Sequence, residues 1–343
     1  MKSLNLDHQI LKNEQTSVAH FGVSTQHFGL HLDHVKSYFC NIGVNIIEHP
    51  DIRSRVYHIL QELKLPHKSI ERVESFSNAV WMTDDHVVHY HVIGSIGRLE
   101  HEARVAVQLP PEALYPEVVA VGRDGDHDWL VTKRVRGVSL SEAWPCLTPA
   151  ERQNAISQAA NALKAIHHSS TTHLVPPCLQ GDALVLSRQE LKHRLQELGK
   201  LPSLEELLKN NMAPSVMAHG DFNFNQVLWH EGKVTALLDI EMSHLEAPDW
   251  DIASFLGFCI NPVRSVPTHL EAISKVEDYY DAPKWLQEAY PEMFAFPHLR
   301  DRLALHFLVL RFKELDERPN RHEEILGAVI VEADKLMALL PKQ

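Results

Sequence analysis

The sequence predicts an α+β fold in which a small, strand-rich segment precedes a longer and mostly helical one. Short runs of β-branched and aromatic residues, separated by polar turns, fill the chain between residues 70 and 135. From residue 147 onwards, apolar residues recur at helical spacing, and prolines separate the periodic segments. A hairpin pattern at residues 227–238 interrupts the helical part, and polar residues that point to chemistry flank it.

Composition and charge limit the class of protein. The chain has 343 residues, of which 44% are hydrophobic, enough for one large or two moderate domains. Its formal net charge of −12 argues against nucleic acid and anionic membranes as partners, since both attract basic surfaces. The four cysteines are scattered without a C-x-x-C motif, which indicates neither a disulfide framework nor a zinc site. Because no apolar run has the pattern of a signal peptide or the length of a transmembrane helix, we expect a reduced, cytoplasmic protein.

The strand-rich segment also contains two predicted helices. Apolar residues at helical spacing predict a helix from Asp51 to Leu63, which Pro66 ends, and a second helix covers residues 98–105. Strands are predicted at residues 70–73, 79–83, 87–92, 116–122 and 129–135. Residues 1–50 show no sustained period and are expected to form an extension whose role is open.

The helical part opens with a helix predicted from Leu147 to His168. Thr148 and Glu151 form a capping-box pattern at its start, with Pro149 at the first helical position. Further helices are predicted at residues 191–208, 254–260, 268–280, 283–290, 299–315 and 323–340.

The hairpin at residues 227–238 brings two acidic residues near each other. Gly232 marks its turn, between strands predicted at 227–229 and 234–238. The motif His219-Gly220-Asp221 precedes the first strand and Asp239 follows the second, so the two carboxylates can face one site. Carboxylate and amide oxygens are ligands that Mg²⁺ takes alongside substrate phosphates. Three amide side chains lie between the two acids: Asn223, Asn225 and Gln226.

These motifs resemble those of the aminoglycoside phosphotransferase and choline kinase superfamily, whose members are relatives of the protein kinases. The resemblance rests on H-G-D-F-N-F-N-Q at residues 219–226, on Asp239, and on A-P-D-W-D-I-A at residues 247–253. It covers about residues 51–342 and implies a bilobal, protein-kinase-like fold. A small antiparallel-sheet N-lobe would span residues 51–135 and cover the nucleotide. A larger, mostly helical C-lobe would span residues 136–343 and hold the catalytic loop and the acceptor site.

The resemblance also implies roles for the residues of the loop. Asp221 would act as the catalytic residue that orients the acceptor hydroxyl and accepts its proton. His219, assigned to the catalytic group with it, would fix the loop. Asp251 would brace the loop through hydrogen bonds and take no part in the chemistry.

The metal ligands implied by the resemblance are Asp239 and an amide. Counted from Asp221, the position of the family's metal-binding Asn is occupied by Gln226, which offers the same amide oxygen on a longer side chain. Asn225, one residue earlier, is the alternative. The implied ion is Mg²⁺.

On the nucleotide side, the resemblance places a phosphate-covering hairpin near residues 74–78 and an adenine-binding hinge near residues 132–135, with Val135 at its end. Backbone N–H groups and polar side chains of the hairpin would cradle phosphates, and the candidates are Ser75, Ser77 and Asn78. The family's phosphate-binding lysine is replaced here by His89, and the strand offers no lysine at all. Glu102 occupies the place of the lysine's partner. A His89–Glu102 pair is therefore expected, in which the carboxylate raises the pKa of the histidine.

The implied function is Mg²⁺-dependent transfer of the γ-phosphoryl group of ATP or GTP to a hydroxyl of a small molecule, such as an aminoglycoside-type antibiotic or an amino alcohol. Carboxylates with aromatics would suit a cationic acceptor. Candidate residues for that site are Glu241, Glu246, Asp249, Glu277, Asp278, Asp281, Trp250, Tyr279, Tyr280 and Trp285.

Two other hypotheses compete with this one. A non-catalytic small-molecule-binding protein on a kinase-like scaffold is supported by the missing lysine and opposed by the two intact acids. A zinc hydrolase would use the histidine-rich strand near residues 86–91. The acceptor, the donor nucleotide and the oligomeric state stay open.

Overall fold

The computed structural model describes residues 50–73, 75, 78–91, 97–169, 216–266, 268–300, 302–303 and 306–307. The predictions for the extension at residues 1–49, for Ser77, and for helices at 191–208, 323–340 and most of 299–315 lie outside these ranges. Within them, no helix combines the length and the apolar character needed to cross a membrane.

The N-lobe contains a five-stranded antiparallel sheet, and each strand lies within a few residues of its predicted position. The strands are β1 Glu71–Val73, β2 Asn78–Met82, β3 His86–His91, β4 Val118–Asp124 and β5 His127–Lys133. Their order in the sheet is β1-β2-β3-β5-β4. Helix α1 (Pro50–Glu62) packs against one face, where Val56 and Leu60 contact the core that includes Val88.

Helix α2 (Arg98–Ala106) covers the other face of the sheet, where Leu99 and Ala103 pack against Leu130 of β5. Directly opposed residues on adjacent strands share a face of the sheet. His89 is opposite Leu130 in the register of β3 and β5, so its side chain is directed to the α2 face.

The C-lobe is built around one apolar core. Its longest described helix begins at Pro149, and the predicted capping box between Thr148 and Glu151 is confirmed. Short 3-10 turns connect the larger elements. The helices are α3 Leu140–Ala143, α4 Pro149–His167, α5 Asp249–Ile260 and α6 Ala282–Ala289.

The predicted hairpin is present and belongs to a small sheet. Strands β8 (Val227–His230) and β9 (Lys233–Leu237) pair in antiparallel fashion, and Gly232 takes the positive φ of 82° that the turn requires. Three short strands escaped prediction because each has only two or three residues, too few to show a period. They are β6 Val138–Ser139, which pairs with β8, and the pair β7 Val216–Ala218 and β10 His244–Glu246.

The helix predicted at residues 268–280 is wrong. The chain forms two 3-10 turns there, Thr268–Leu270 and Val276–Tyr279, separated by an extended Lys275 with φ −102° and ψ 137°. Weak helix formers surround the break, among them Ile273 and Ser274. The buried Leu270 and Tyr279 are therefore anchored separately in the core, without a continuous helix between them.

Candidate active site

The His219-Gly220-Asp221 loop is fixed by a buried carboxylate in the first turn of α5. Asp251 accepts hydrogen bonds from the backbone N–H of His219 at 2.8 Å and of Gly220 at 2.9 Å. The side chain of His167, at the end of α4, contacts the same carboxylate at 2.9 Å. Burial alone would raise the pKa of Asp251, but the hydrogen bond from His167 and the neighbouring donors hold it below its ordinary value. The predicted bracing by Asp251 is confirmed.

Gly220 is required by the path of this loop. Its φ is +91°, a backbone conformation that side chains disfavour, and a Cβ atom built on it would lie 2.2 Å from the carbonyl oxygen of Met242. The loop thus passes directly against the segment that follows Asp239. No residue other than glycine fits between the two.

The ring of His219 makes two contacts with the backbone near Asp221 and Asp239. Its Nε2 lies 2.9 Å from the carbonyl oxygen of Leu238, and its Nδ1 accepts from the N–H of Asp221 at 3.3 Å. Burial lowers the pKa of His219, so the ring is neutral at physiological pH. The ring of His219 thus links the backbone of Asp221 to that of Leu238, the residue before Asp239, which gives it a positioning role in the loop.

Asp221 and Asp239 are brought together as the hairpin predicts. The Nε2 group of Gln226 lies 3.1 Å from Oδ2 of Asp221 and 3.2 Å from Oδ2 of Asp239, so one amide bridges the two carboxylates. Asp221 also accepts hydrogen bonds from Asn223 at 3.0 Å and from Ser254 at 3.2 Å. Burial raises the pKa of Asp221 and raises that of Asp239 well above its ordinary value, the latter with help from nearby Glu241 and Glu102. A cation between these acids would relieve this cost.

The donor set at this point suits Mg²⁺. Two carboxylates with an amide match an ion that takes one or two carboxylates and completes its shell with phosphates and water. Gln226 contacts both acids, whereas Asn225 donates from Nδ2 to the carbonyl oxygen of Ser265 at 2.6 Å and is turned away. Of the two predicted amides, the geometry favours Gln226. No group of three or more His, Cys, Asp or Glu side chains in the described ranges is arranged to hold an ion.

Apolar residues of the same loop anchor it in the C-lobe core. Phe222 and Phe224 alternate with the polar residues and are 1% exposed. Phe224 stacks on Phe258 with ring centroids 4.8 Å apart and meets Trp144 edge-on at 4.8 Å. The polar side chains of the loop are thereby held toward the site by packing on the opposite side.

The hairpin predicted to cover phosphates is connected to the segment that follows Asp239. Asn78 is buried and donates from Nδ2 to Oε2 of Glu241 at 2.9 Å, and Ser75 donates to the carbonyl oxygen of Asn78. Their side chains thus make contacts within the protein. Val135 lies just past the end of β5, where the hinge was predicted.

The predicted pair of His89 and Glu102 is not formed. Glu102 instead accepts from the hydroxyl of Tyr115 at 2.7 Å and from the backbone N–H of Ile240 at 3.2 Å. Among the described residues, His89 makes no ion pair. Burial lowers its pKa to about 4, whereas a pair with Glu102 would have raised it. The physical reason is that Glu102 meets Tyr115 and the backbone of Ile240, just after Asp239, and its carboxylate is occupied by their hydrogen bonds.

Glu102 is buried beside other acids, and this gives it an unusual protonation state. Burial, with Glu241 and Asp128 nearby, raises its pKa to about 8, against the hydrogen bond from Tyr115 that lowers it. The folded chain therefore keeps a proton that the unfolded chain releases near the ordinary value of 4.5. This contribution to stability is complete below pH 4.5 and is lost as the pH rises to about 8.

We expect Glu102→Gln to stabilise the protein relative to the wild type increasingly as the pH rises across this window. Glutamine keeps an acceptor for Ile240 and cannot ionise, so the gain reaches roughly 2–4 kcal/mol near pH 8. Urea unfolding at a series of pH values measures it, with the exposed Glu112→Gln as control. A difference between variant and wild type that stays constant with pH would contradict the prediction.

Several acidic and aromatic residues predicted to line the acceptor site are structural. Asp249 is fully buried and receives a bidentate pair from Arg302 at 2.6 and 2.9 Å. Although burial opposes it, His306 and Arg302 lower the pKa of Asp249 to about 2. Trp250 and Tyr279 lie in the core. These three predictions are wrong, because burial removes the side chains from any ligand.

Two residues near the site, Arg98 and Tyr115, were not assigned to it from the sequence. Arg98 contacts Glu241 and Tyr115 contacts Glu102, and no local pattern indicates either contact. Glu241 was predicted for the acceptor site, and the structure shows it accepting a hydrogen bond from Asn78.

The fold and site together define a kinase-like phosphotransferase architecture: an antiparallel N-lobe sheet with a helix on each face, and a braced H-G-D loop followed by a hairpin that ends in an acid. Comparison with known proteins gives the family. Residues 69–286, more than half of the chain, match the model of the phosphotransferase enzyme family, APH, and the chain belongs to this family.

Individual relatives are more distant. An aminoglycoside 3'-phosphotransferase of Streptomyces ribosidificus is 26% identical over 178 residues, which span 48% of this chain and 64% of the relative. The crystal structure of aminoglycoside phosphotransferase APH(4)-Ia aligns with a TM-score of 0.60 at 13% identity, over 85% of this chain and all of that one. The GDP complex of aminoglycoside 2'-phosphotransferase-IIIa gives 0.58 at 14% identity, over 83% and 98%. The predicted kinase-like α+β fold is confirmed.

Proposed function

We propose that this protein transfers the γ-phosphoryl group of ATP or GTP to a hydroxyl group of a small molecule, with Mg²⁺ as cofactor. The observation that carries the proposal is the joint placement of Asp221 and Asp239, whose carboxylates share the amide of Gln226. Both acids are only partly buried, which leaves them accessible to a ligand. Family membership supports the same reaction class.

In this proposal, Asp221 orients the acceptor hydroxyl and receives its proton. The acceptor oxygen bonds to the γ-phosphorus as the bond from that phosphorus to the bridging oxygen breaks, and the nucleoside diphosphate leaves. Mg²⁺, when bound, neutralises charge on the phosphate oxygens. Asp239 and Gln226 would hold it, the latter after its amide turns to present the oxygen. Asp251 and His219 keep these groups in place.

An aminoglycoside-type or other amine-bearing acceptor is supported by three observations. The curated relative is an aminoglycoside 3'-phosphotransferase, and a mutant of APH(4)-Ia has been solved with AMP-PNP and hygromycin B. The net charge of −12 also attracts cationic molecules. Since nucleoside triphosphates are intracellular metabolites, we expect the protein to act in the cytoplasm.

The test is a transfer assay with Mg²⁺, either ATP or GTP, and a panel of aminoglycosides and amino alcohols. We expect acceptor-dependent release of the nucleoside diphosphate, a phosphorylated acceptor detected by mass spectrometry, and loss of both signals with EDTA. Nucleotide binding without product across the panel would count against the reaction.

A non-catalytic small-molecule-binding protein is the second candidate, because β3 has no lysine and His89 is neutral. It predicts that acceptor-type molecules raise the melting temperature equally with and without nucleotide, because a ligand stabilises only the state it binds. The transferase predicts in addition a Mg²⁺-dependent rise with nucleotide alone.

A further inference from the structure

Strand β3 lacks the cation expected to bind the phosphates of a nucleotide. Strand β3 reads H-V-V-H-Y-H and offers no permanent positive charge. His89 faces α2 but is neutral at physiological pH, since burial lowers its pKa to about 4. His91 is engaged at 3.2 Å with the buried Asp128. A phosphoryl group nevertheless develops negative charge during its transfer. Enzymes of this class neutralise that charge with cationic side chains and a metal ion.

Arg98, the first residue of α2, lies beside the acids of this region. Its Nη1 is 3.6 Å from Oε1 of Glu241, which follows Asp239 by two residues. The other oxygen of Glu241 accepts from Asn78, at the end of the phosphate-covering hairpin. Arg98 thus stands where α2, that hairpin and the metal-side segment meet.

The guanidinium of Arg98 has donors to spare. The 3.6 Å contact is long, and within the described part of the chain the side chain makes no other hydrogen bond or ion pair. It is 27% exposed, which leaves it accessible to a ligand. The backbone beneath it is fixed, because Asp128 accepts from the N–H groups of Leu99 at 2.8 Å and Glu100 at 3.3 Å.

We propose that Arg98 binds the phosphates of the nucleotide and takes the role of the missing β3 lysine, with Glu241 holding it in place when no nucleotide is bound. A guanidinium suits this role, since it is permanently charged and its planar fork matches phosphate oxygens. The cation that binds the nucleotide phosphates then lies at the start of α2 and not on strand β3. This inference rests on the proposed phosphotransferase function.

The test compares Arg98→Gln with Arg104→Gln, which removes the same charge from the exposed side of the same helix. Calorimetric titration with Mg·ATP and Mg·GTP should show that Arg98→Gln weakens nucleotide binding roughly 10- to 100-fold, the loss expected for charge-assisted hydrogen bonds. Arg98→Lys should recover part of it, and Arg104→Gln should bind as the wild type. In turnover assays, the Arg98→Gln defect should raise the KM for nucleotide and leave the KM for the acceptor unchanged. Melting temperatures without nucleotide should stay equal, which excludes a folding defect.

The outcomes distinguish a failure of the role of Arg98 from a failure of the proposed phosphotransferase function. If the wild type binds nucleotide and Arg98→Gln binds equally well, the inference is wrong and the phosphotransferase stands. The inference is also wrong if His89→Gln, and not Arg98→Gln, loses the affinity. If the wild type itself binds neither nucleotide, the proposed function and the role of Arg98 fail together.

Discussion

Asp221→Asn is expected to reduce turnover by about 10³-fold while the protein stays folded. The substitution keeps the size of the side chain but removes the carboxylate that, in the proposed mechanism, orients the acceptor hydroxyl and takes its proton, a contribution of about 10²–10⁴-fold in general. Initial rates with saturating nucleotide and acceptor measure the effect. Binding of nucleotide should persist, because Asp239 and Gln226 remain.

The control for this variant is Asp126→Asn, which removes one carboxylate from the exposed turn between β4 and β5. It should react at the wild-type rate. A wild-type rate for Asp221→Asn would remove Asp221 from the mechanism, and an equal loss in both variants would indicate a general charge effect.

Asp251→Asn is expected to destabilise the protein by about 3 kcal/mol and to lower turnover as well. Its two oxygens face donors only, two backbone N–H groups and the ring of His167, and the side chain is fully buried. The asparagine amide would turn its NH₂ group toward one of these donors. The NH₂ group and that donor would then both lack an acceptor, and buried groups without a partner cost stability. Denaturant unfolding gives the free energy, and activity of the remaining folded fraction gives the rate.

A matched control is Asp281→Asn, at an exposed position just before α6 that makes no side-chain cap. It should change the free energy of unfolding by about 0.5 kcal/mol or less, as surface substitutions do. If Asp251→Asn were as mild, the bracing of the loop would carry little energy.

The parts of the site that the sequence predicts are those with local causes. Gly232 and the flanking β-rich runs predict the hairpin, and the hairpin alone brings Asp239 back to Asp221. The contacts of Gln226 follow, since it ends the 3-10 turn immediately before β8, the first strand of the hairpin. Each of these relations spans fewer than twenty residues, within which periodicity and turn chemistry are informative.

The parts that the sequence does not predict depend on packing between distant segments. Glu102 lies on the predicted helix, yet which group it meets depends on the position of α2 relative to the segment holding Ile240, a contact across 138 residues. The pair of Asp249 and Arg302 likewise joins positions 53 apart and turns an apparent ligand residue into a buried anchor. No pattern within either segment predicts which distant residue it contacts.

The bracing of the loop also bears on how this protein can change over generations. His167 comes from α4 and Asp251 from α5, and their buried side chains contact each other, while the backbone N–H of His219 donates to the same carboxylate. A replacement at His167 or Asp251 alone leaves a buried polar group of its partner unsatisfied, so we expect each single step toward a new arrangement to destabilise the protein. Substitutions that alter the choice of acceptor are therefore expected to accumulate elsewhere, on surfaces of the C-lobe that can vary one residue at a time.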